Sequence, residues 1–244
     1  MKRGRRWKAS LPVMMISLAV AGLMIITLIG WRASKEAVVL DVLSKDYPNP
    51  EFIKEVRNIL ESRGFKVHFY DHGNVSLEIF RTLPSRGYEL VIIRTHGGRI
   101  RQPAGLMSVG GVFVERCGPG DYPEYTRAGY LLRGRPFLSN ETYCVAPPHF
   151  ISDRMLGRFP SSLIIVMACY TGDNEALATS FLHKGAEAYV GFRGEVSPQY
   201  ADAFTIQLLR NLYQGNMTLE DAFNQALDLL GEDALFGGRA AIYS

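Results

Sequence analysis

The chain has 244 residues, of which 47% are hydrophobic and 21% charged, with three cysteines and a formal net charge of +3. That balance excludes a disordered or low-complexity protein and supports one good-sized core. Five basic residues fall within the first eight, so the remainder is slightly acidic; it lacks the basic face of a nucleic-acid binder, and no nucleic-acid partner is expected.

Leu11 to Trp31 is an apolar block without a charge. A cleavable signal has an apolar core of about 7–15 residues, whereas a bilayer span needs roughly 20, so the block reads as a retained transmembrane helix. Lys2, Arg3, Arg5, Arg6 and Lys8 ahead of it outnumber Arg32 and Lys35 behind it. A positive excess stays in the cytoplasm, which predicts a single-pass cell-membrane protein. Residues 1–33 form the cytoplasmic amino terminus and anchor, and residues 34–244 form an extracytoplasmic domain.

Beyond the anchor, Ala37 to Leu43 reads as a buried strand, broken by Tyr47-Pro48-Asn49-Pro50. A helix with Phe52, Ile53, Val56, Ile59 and Leu60 on one face follows and stops at Gly64. Phe65 to Tyr70 is a strand, Val75 to Leu83 a helix, and Tyr88 to Thr95 a third strand. Such alternation with short crossovers implies a parallel sheet covered by helices on both faces. Residues 99–160, rich in Gly, Pro, Tyr and Arg and containing Gly110-Gly111-Val112-Phe113-Val114, read as an insertion of hairpins and loops. Alternation resumes with a strand from Leu163, a helix over 174–183, a strand Ala186 to Phe192, helices from Gln199 to Tyr213 and Leu219 to Leu230, and a last short strand, Arg239 to Tyr243.

Two of these strands end in reactive side chains. Leu163-Ile164-Ile165-Val166-Met167-Ala168 delivers Cys169, followed by Tyr170-Thr171-Gly172-Asp173; Leu90-Val91-Ile92-Ile93 leads through Arg94 and Thr95 to His96-Gly97-Gly98. Open parallel sheets carry their chemistry beyond the carboxyl ends of the strands, so neighbouring strands would bring base and nucleophile together. A cysteine ending an apolar strand, taken alone, reads first as a small core hydrophobe. His68 and His72 flank a strand end and His149 and His183 read as solvated, so no metal site is expected. Asp173 reads as a cap for the helix that follows. If the domain is exported, Cys117 and Cys144 can pair and leave Cys169 free; unpaired thiols fit the sequence equally, since a disulfide requires Cα atoms within roughly 6 Å. Asn74-Val-Ser, Asn140-Glu-Thr and Asn216-Met-Thr are sequons that an exported domain could use.

Thr95-His96-Gly97-Gly98 and Ala168-Cys169-Tyr170-Thr171-Gly172 resemble the motifs of the caspase-like cysteine peptidase clan, the group of caspases, legumain, gingipains, clostripain, separase and CHAT domains. Phe181-Leu182-His183-Lys184-Gly185-Ala186-Glu187-Ala188-Tyr189-Val190-Gly191 is similar to the helix and strand after the nucleophile in CHAT and gingipain-like members, and Thr218-Leu219-Glu220-Asp221-Ala222-Phe223 to their closing helix. The resemblance runs from Ala37 to Tyr243. It implies an α/β caspase-like sandwich with a mostly parallel central sheet, a His96–Cys169 dyad without cofactor, and the backbone amides of Gly97 and Cys169 as oxyanion donors. A thiol near an imidazole and a helix start is expected to ionise more readily than a free cysteine. By the same resemblance Glu195 and Asp202, after the fifth strand, are candidates for substrate contact. So is position 167, where Met167 replaces the acidic residue of arginine-specific relatives and argues against strict basic specificity. The implied activity is peptide-bond hydrolysis through an acyl-enzyme, acting on a peptide or protein substrate. The rival readings are a non-catalytic scaffold or peptide-binding module at the membrane, and a cytoplasmic-facing signalling domain.

Overall fold

A computed structural model describes residues 35–100, 109–136, 139–173 and 175–244. The expected anchor and the basic cluster ahead of it lie outside the described residues, and no described helix is long and apolar enough to cross a membrane.

The central sheet has six strands: β1 (Lys35–Asp41), β2 (Phe65–Asp71), β3 (Leu90–Arg94), β8 (Leu163–Met167), β9 (Ala188–Arg193) and β10 (Arg239–Tyr243), in the order β10-β9-β8-β3-β1-β2. All pairings are parallel except that of β10 with β9. The reason lies in composition, since β3 and β8 are buried along their whole length, as strands covered on both faces must be. Alternate residues then serve opposite cores. Val38, Leu40, Val91, Ile93, Ile164 and Val166 face one apolar cluster, whereas Val39, Leu90, Ile92, Leu163 and Ile165 face the other.

The second cluster is closed by α1 (Pro50–Glu61), α6 (Pro198–Leu209) and α7 (Leu219–Leu230), which contribute Phe52, Phe204 and Phe223 among others. Burying one such side chain is worth roughly 1.5–3 kcal/mol before entropy is counted. Each helix starts on a capped residue: the Asn49 carboxamide accepts from the Phe52 amide, the Ser197 hydroxyl from Tyr200 and the Thr218 hydroxyl from Asp221. The helix expected to run from Gln199 to Tyr213 changes to a π-helical turn over Arg210–Gln214.

The first cluster is covered by α2 (Leu77–Thr82), α4 (Pro148–Arg154), α5 (Glu175–His183) and a second sheet. That sheet, β4 (Gly97–Ile100), β5 (Val109–Arg116), β6 (Leu132–Gly134) and β7 (Tyr143–Ala146), is antiparallel in the order β4-β5-β7-β6, with α3 (Pro123–Arg127) between β5 and β6. Within the stretch expected to hold hairpins and loops, the described residues thus form antiparallel strands of this layer together with the short helices α3 and α4. The layer buries Val112, Phe113, Tyr143 and Val145 against the central sheet, and Cys117 and Cys144 are joined in it as a disulfide with Cα atoms 5.3 Å apart.

Candidate active site

The carboxyl ends of β3 and β8 are level, with Arg94 opposite Met167, and the Thr95 amide extends the ladder by donating to the Met167 carbonyl at 3.2 Å. His96 and Cys169 each follow their paired residue by two positions, so the topology sets them side by side at the top of the sheet. The Thr95 hydroxyl donates to the Phe113 carbonyl at 2.5 Å and thereby ties this end of β3 to the second sheet. Gly97 lies against the nucleophile's own backbone: a Cβ there would overlap the Cys169 carbonyl oxygen and sit 3.0 Å from its nitrogen. Only glycine fits this approach of the backbone at position 97 to that of Cys169.

Tyr170, next to the thiol, has a φ of 64°, a left-handed conformation that costs a non-glycine residue roughly 1–2 kcal/mol. Its amide donates to the Gly194 carbonyl at 2.9 Å and its phenol to Glu195 Oε1 at 2.5 Å, which hold the sharp turn in place. The Cys169 sulfur accepts from the Val196 amide at 3.4 Å and lies 3.5 Å from the Val196 carbonyl oxygen. Burial pushes the thiol upward, the Val196 contact opposes this, and Glu195 adds to the rise. The expectation of a readily ionised thiol is therefore corrected for this arrangement: desolvation and a nearby carboxylate favour the neutral form.

The His96 imidazole packs edge-on against Tyr47, Phe113 and Tyr143, with centroids 6.1, 6.1 and 5.7 Å away. Its Nε2 is 3.6 Å from Asp46 Oδ2, a charge contact longer than a hydrogen bond, and this nitrogen is buried without a hydrogen-bond partner among the described residues. Burial pulls its pKa down, while Asp46 pulls the other way. No hydrogen bond joins imidazole and thiol; His96 is turned toward β1 and Cys169 toward the segment after β9.

Glu195 is exposed at the rim through its link to Tyr170. The other two substrate candidates are placed elsewhere. Met167 is 2% exposed within the second core. Asp202, 4% exposed, receives Arg94 in a bidentate pair at 2.7 and 2.9 Å and Asn49 Nδ2 at 2.8 Å, while Arg94 also reaches Asp41 at 3.0 Å. Met167 was a candidate by its place two residues before the nucleophile and Asp202 by its place after the fifth strand, and both are buried. The Asp173 carboxylate accepts from the Gly194 amide at 2.7 Å and pairs with Arg99 at 2.9 Å. Sequence reasoning missed Asp46 and Val196, which lie in irregular segments and carry no motif. Among the described residues no cluster of His, Cys, Asp and Glu could hold a metal ion.

A cavity of about 480 Å³ lies at the far end of the sheet, lined by Lys35, Phe65, Leu163 and Ala188 at strand starts, with Tyr213 and Leu219. It is distinct from the His96–Cys169 end. A scan against protein-family models and a search of curated proteins both find no match to this chain.

Proposed function

We propose that this chain is a membrane-anchored, extracytoplasmic cysteine endopeptidase with a caspase-like fold. The observation that carries the reading is the level placement of His96 and Cys169 on the adjacent parallel strands β3 and β8, with Gly97 packed on the nucleophile's backbone. In the reaction the Cys169 thiol passes its proton to His96, and the thiolate attacks the scissile carbonyl. The amides of Gly97 and Cys169 receive the oxyanion, and the imidazolium protonates the departing amine. Water, deprotonated by His96, then hydrolyses the thioester. Productive geometry requires the sulfur to turn from Val196 toward the imidazole, and catalytic hydrogen bonds commonly tighten only with substrate bound. Export is supported by the basic-then-apolar amino terminus, by the disulfide and by the exposure of Asn74, Asn140 and Asn216.

Turnover of a peptide library tests the reading. Cys169→Ala and His96→Ala should each abolish turnover with the fold intact, and the double variant should be little worse than either, because the pair acts as a unit. Gly97→Val should reduce turnover through the overlap with Cys169. Wild-type turnover by Cys169→Ala would end this reading.

The raised thiol and the absence of an imidazole–thiol bond favour a second reading, a non-catalytic peptide-binding module with the same architecture. An electrophilic probe separates the two: capture at Cys169 in the wild type but not in His96→Ala supports the enzyme, and equal labelling of both supports the binding module.

A further inference from the structure

Asp46 belongs to the segment after β1, and β1 flanks β3 on the side opposite β8. The carboxylate therefore approaches His96 from the side away from Cys169, as a group that orients a base would. Two side chains hold it. The Tyr143 hydroxyl donates to Asp46 Oδ2 at 2.9 Å, and Arg116 Nη2 donates to Oδ1 at 3.4 Å. Tyr143 also packs against the imidazole itself, and the Arg116 guanidinium lies 6.0 Å from the Tyr143 ring centroid.

Arg116 and Tyr143 are cross-strand partners in β5 and β7, and each is followed directly by a half-cystine of the Cys117–Cys144 disulfide. The Cys117 amide donates to the Thr142 carbonyl at 2.8 Å and closes the same corner. The covalent link thus sits one residue beyond the two groups that fix Asp46. We propose that Asp46 is the positioning residue for His96, and that the disulfide keeps it in place through Arg116 and Tyr143. Its role in turnover rests on the function proposed above; the pairing itself does not.

The groups facing the imidazole are Asp46, Tyr47, Phe113 and Tyr143, with Arg116 behind Asp46 and Glu141 3.5 Å from Arg116. Among these, Asp46 is the one carboxylate against the ring. NMR titration of His96 in the full chain tests the proposal without any substrate. Asp46→Asn should lower the His96 pKa by about one unit, and Asp46→Glu should restore most of it. Cys117→Ser/Cys144→Ser should move it in the same direction by a smaller amount. If that double variant does not fold, Arg116→Met/Tyr143→Phe, which retains the disulfide, should give the same shift. With a turnover assay, Asp46→Asn should lower kcat more than it raises KM. A His96 pKa unchanged in Asp46→Asn overturns the positioning role. A pKa unmoved both in the cysteine variant and in Arg116→Met/Tyr143→Phe overturns the holding role. Absence of peptidase activity with the shift present would leave the pairing standing and remove only the enzyme reading.

Discussion

Burial disfavours the charged forms of His96 and Cys169, and this has a consequence for stability as well as for chemistry. A histidine whose folded pKa lies below the unfolded value of 6.5 contributes stability that is complete above that value and is lost as pH falls toward the folded one. The thiol, raised above 9.0, contributes below that value and loses its contribution as pH rises further. Urea denaturation of wild type and His96→Gln at a series of pH values should therefore show a difference that is flat above about pH 6.5 and shrinks below it. A difference that is constant with pH would mean that the imidazole is not desolvated. His96, Gly97 and Cys169 were legible in the sequence because each stands within a few residues of the end of a buried apolar run. Asp46 was not, because its partners are 70 and 97 residues away and no periodicity connects them.

At the scale of elements, the joint between β1, β3 and α6 is made by charge. Arg94, Asp41 and Asp202 are all buried, and two carboxylates share one guanidinium. Removing one member of such a buried pair typically costs roughly 3–5 kcal/mol, since the charge left behind has no water. Asp202→Ala should fall in that range by chemical denaturation, because it removes both bidentate bonds and the hydrogen bond from Asn49, the residue that caps α1. Asp41→Asn should lose less: burial, only partly offset by Arg94, already pushes the Asp41 carboxyl upward, so its charge is costly to keep, and the amide retains a contact to Arg94. Equal losses from the two variants would contradict this ranking. Helix and strand order was legible outside residues 99–160, since buried runs and capping residues announce themselves locally. The second sheet and the helices α3 and α4 were less so, because β4, β6 and β7 are only three or four residues long, the Gly110-Gly111 stretch of β5 lacks side chains to alternate, and β5 and β7 are joined near their ends by a disulfide that the sequence left open. In the chain-entropy model that link, between positions 27 apart, is worth roughly 3–4 kcal/mol.

For the molecule as a whole, the proposed topology sets residues 34–244 outside the cell. Protease added to intact cells should digest that domain, and in a glycosylating host Asn74, Asn140 and Asn216 should accept glycans. Full protection of the domain in sealed cells would reverse the orientation. The parallel sheet adds a metric constraint. The chain enters the domain at Lys35, the first residue of β1, and the reactive pair stands beyond the carboxyl ends of the neighbouring strands. At about 3.3 Å per residue, the seven residues of β1 separate the two by roughly 20 Å. The end at which the chain enters the domain and the end that carries the pair are therefore opposite ends of one sheet, so a group attached at Lys35 stands a full strand's length from Cys169.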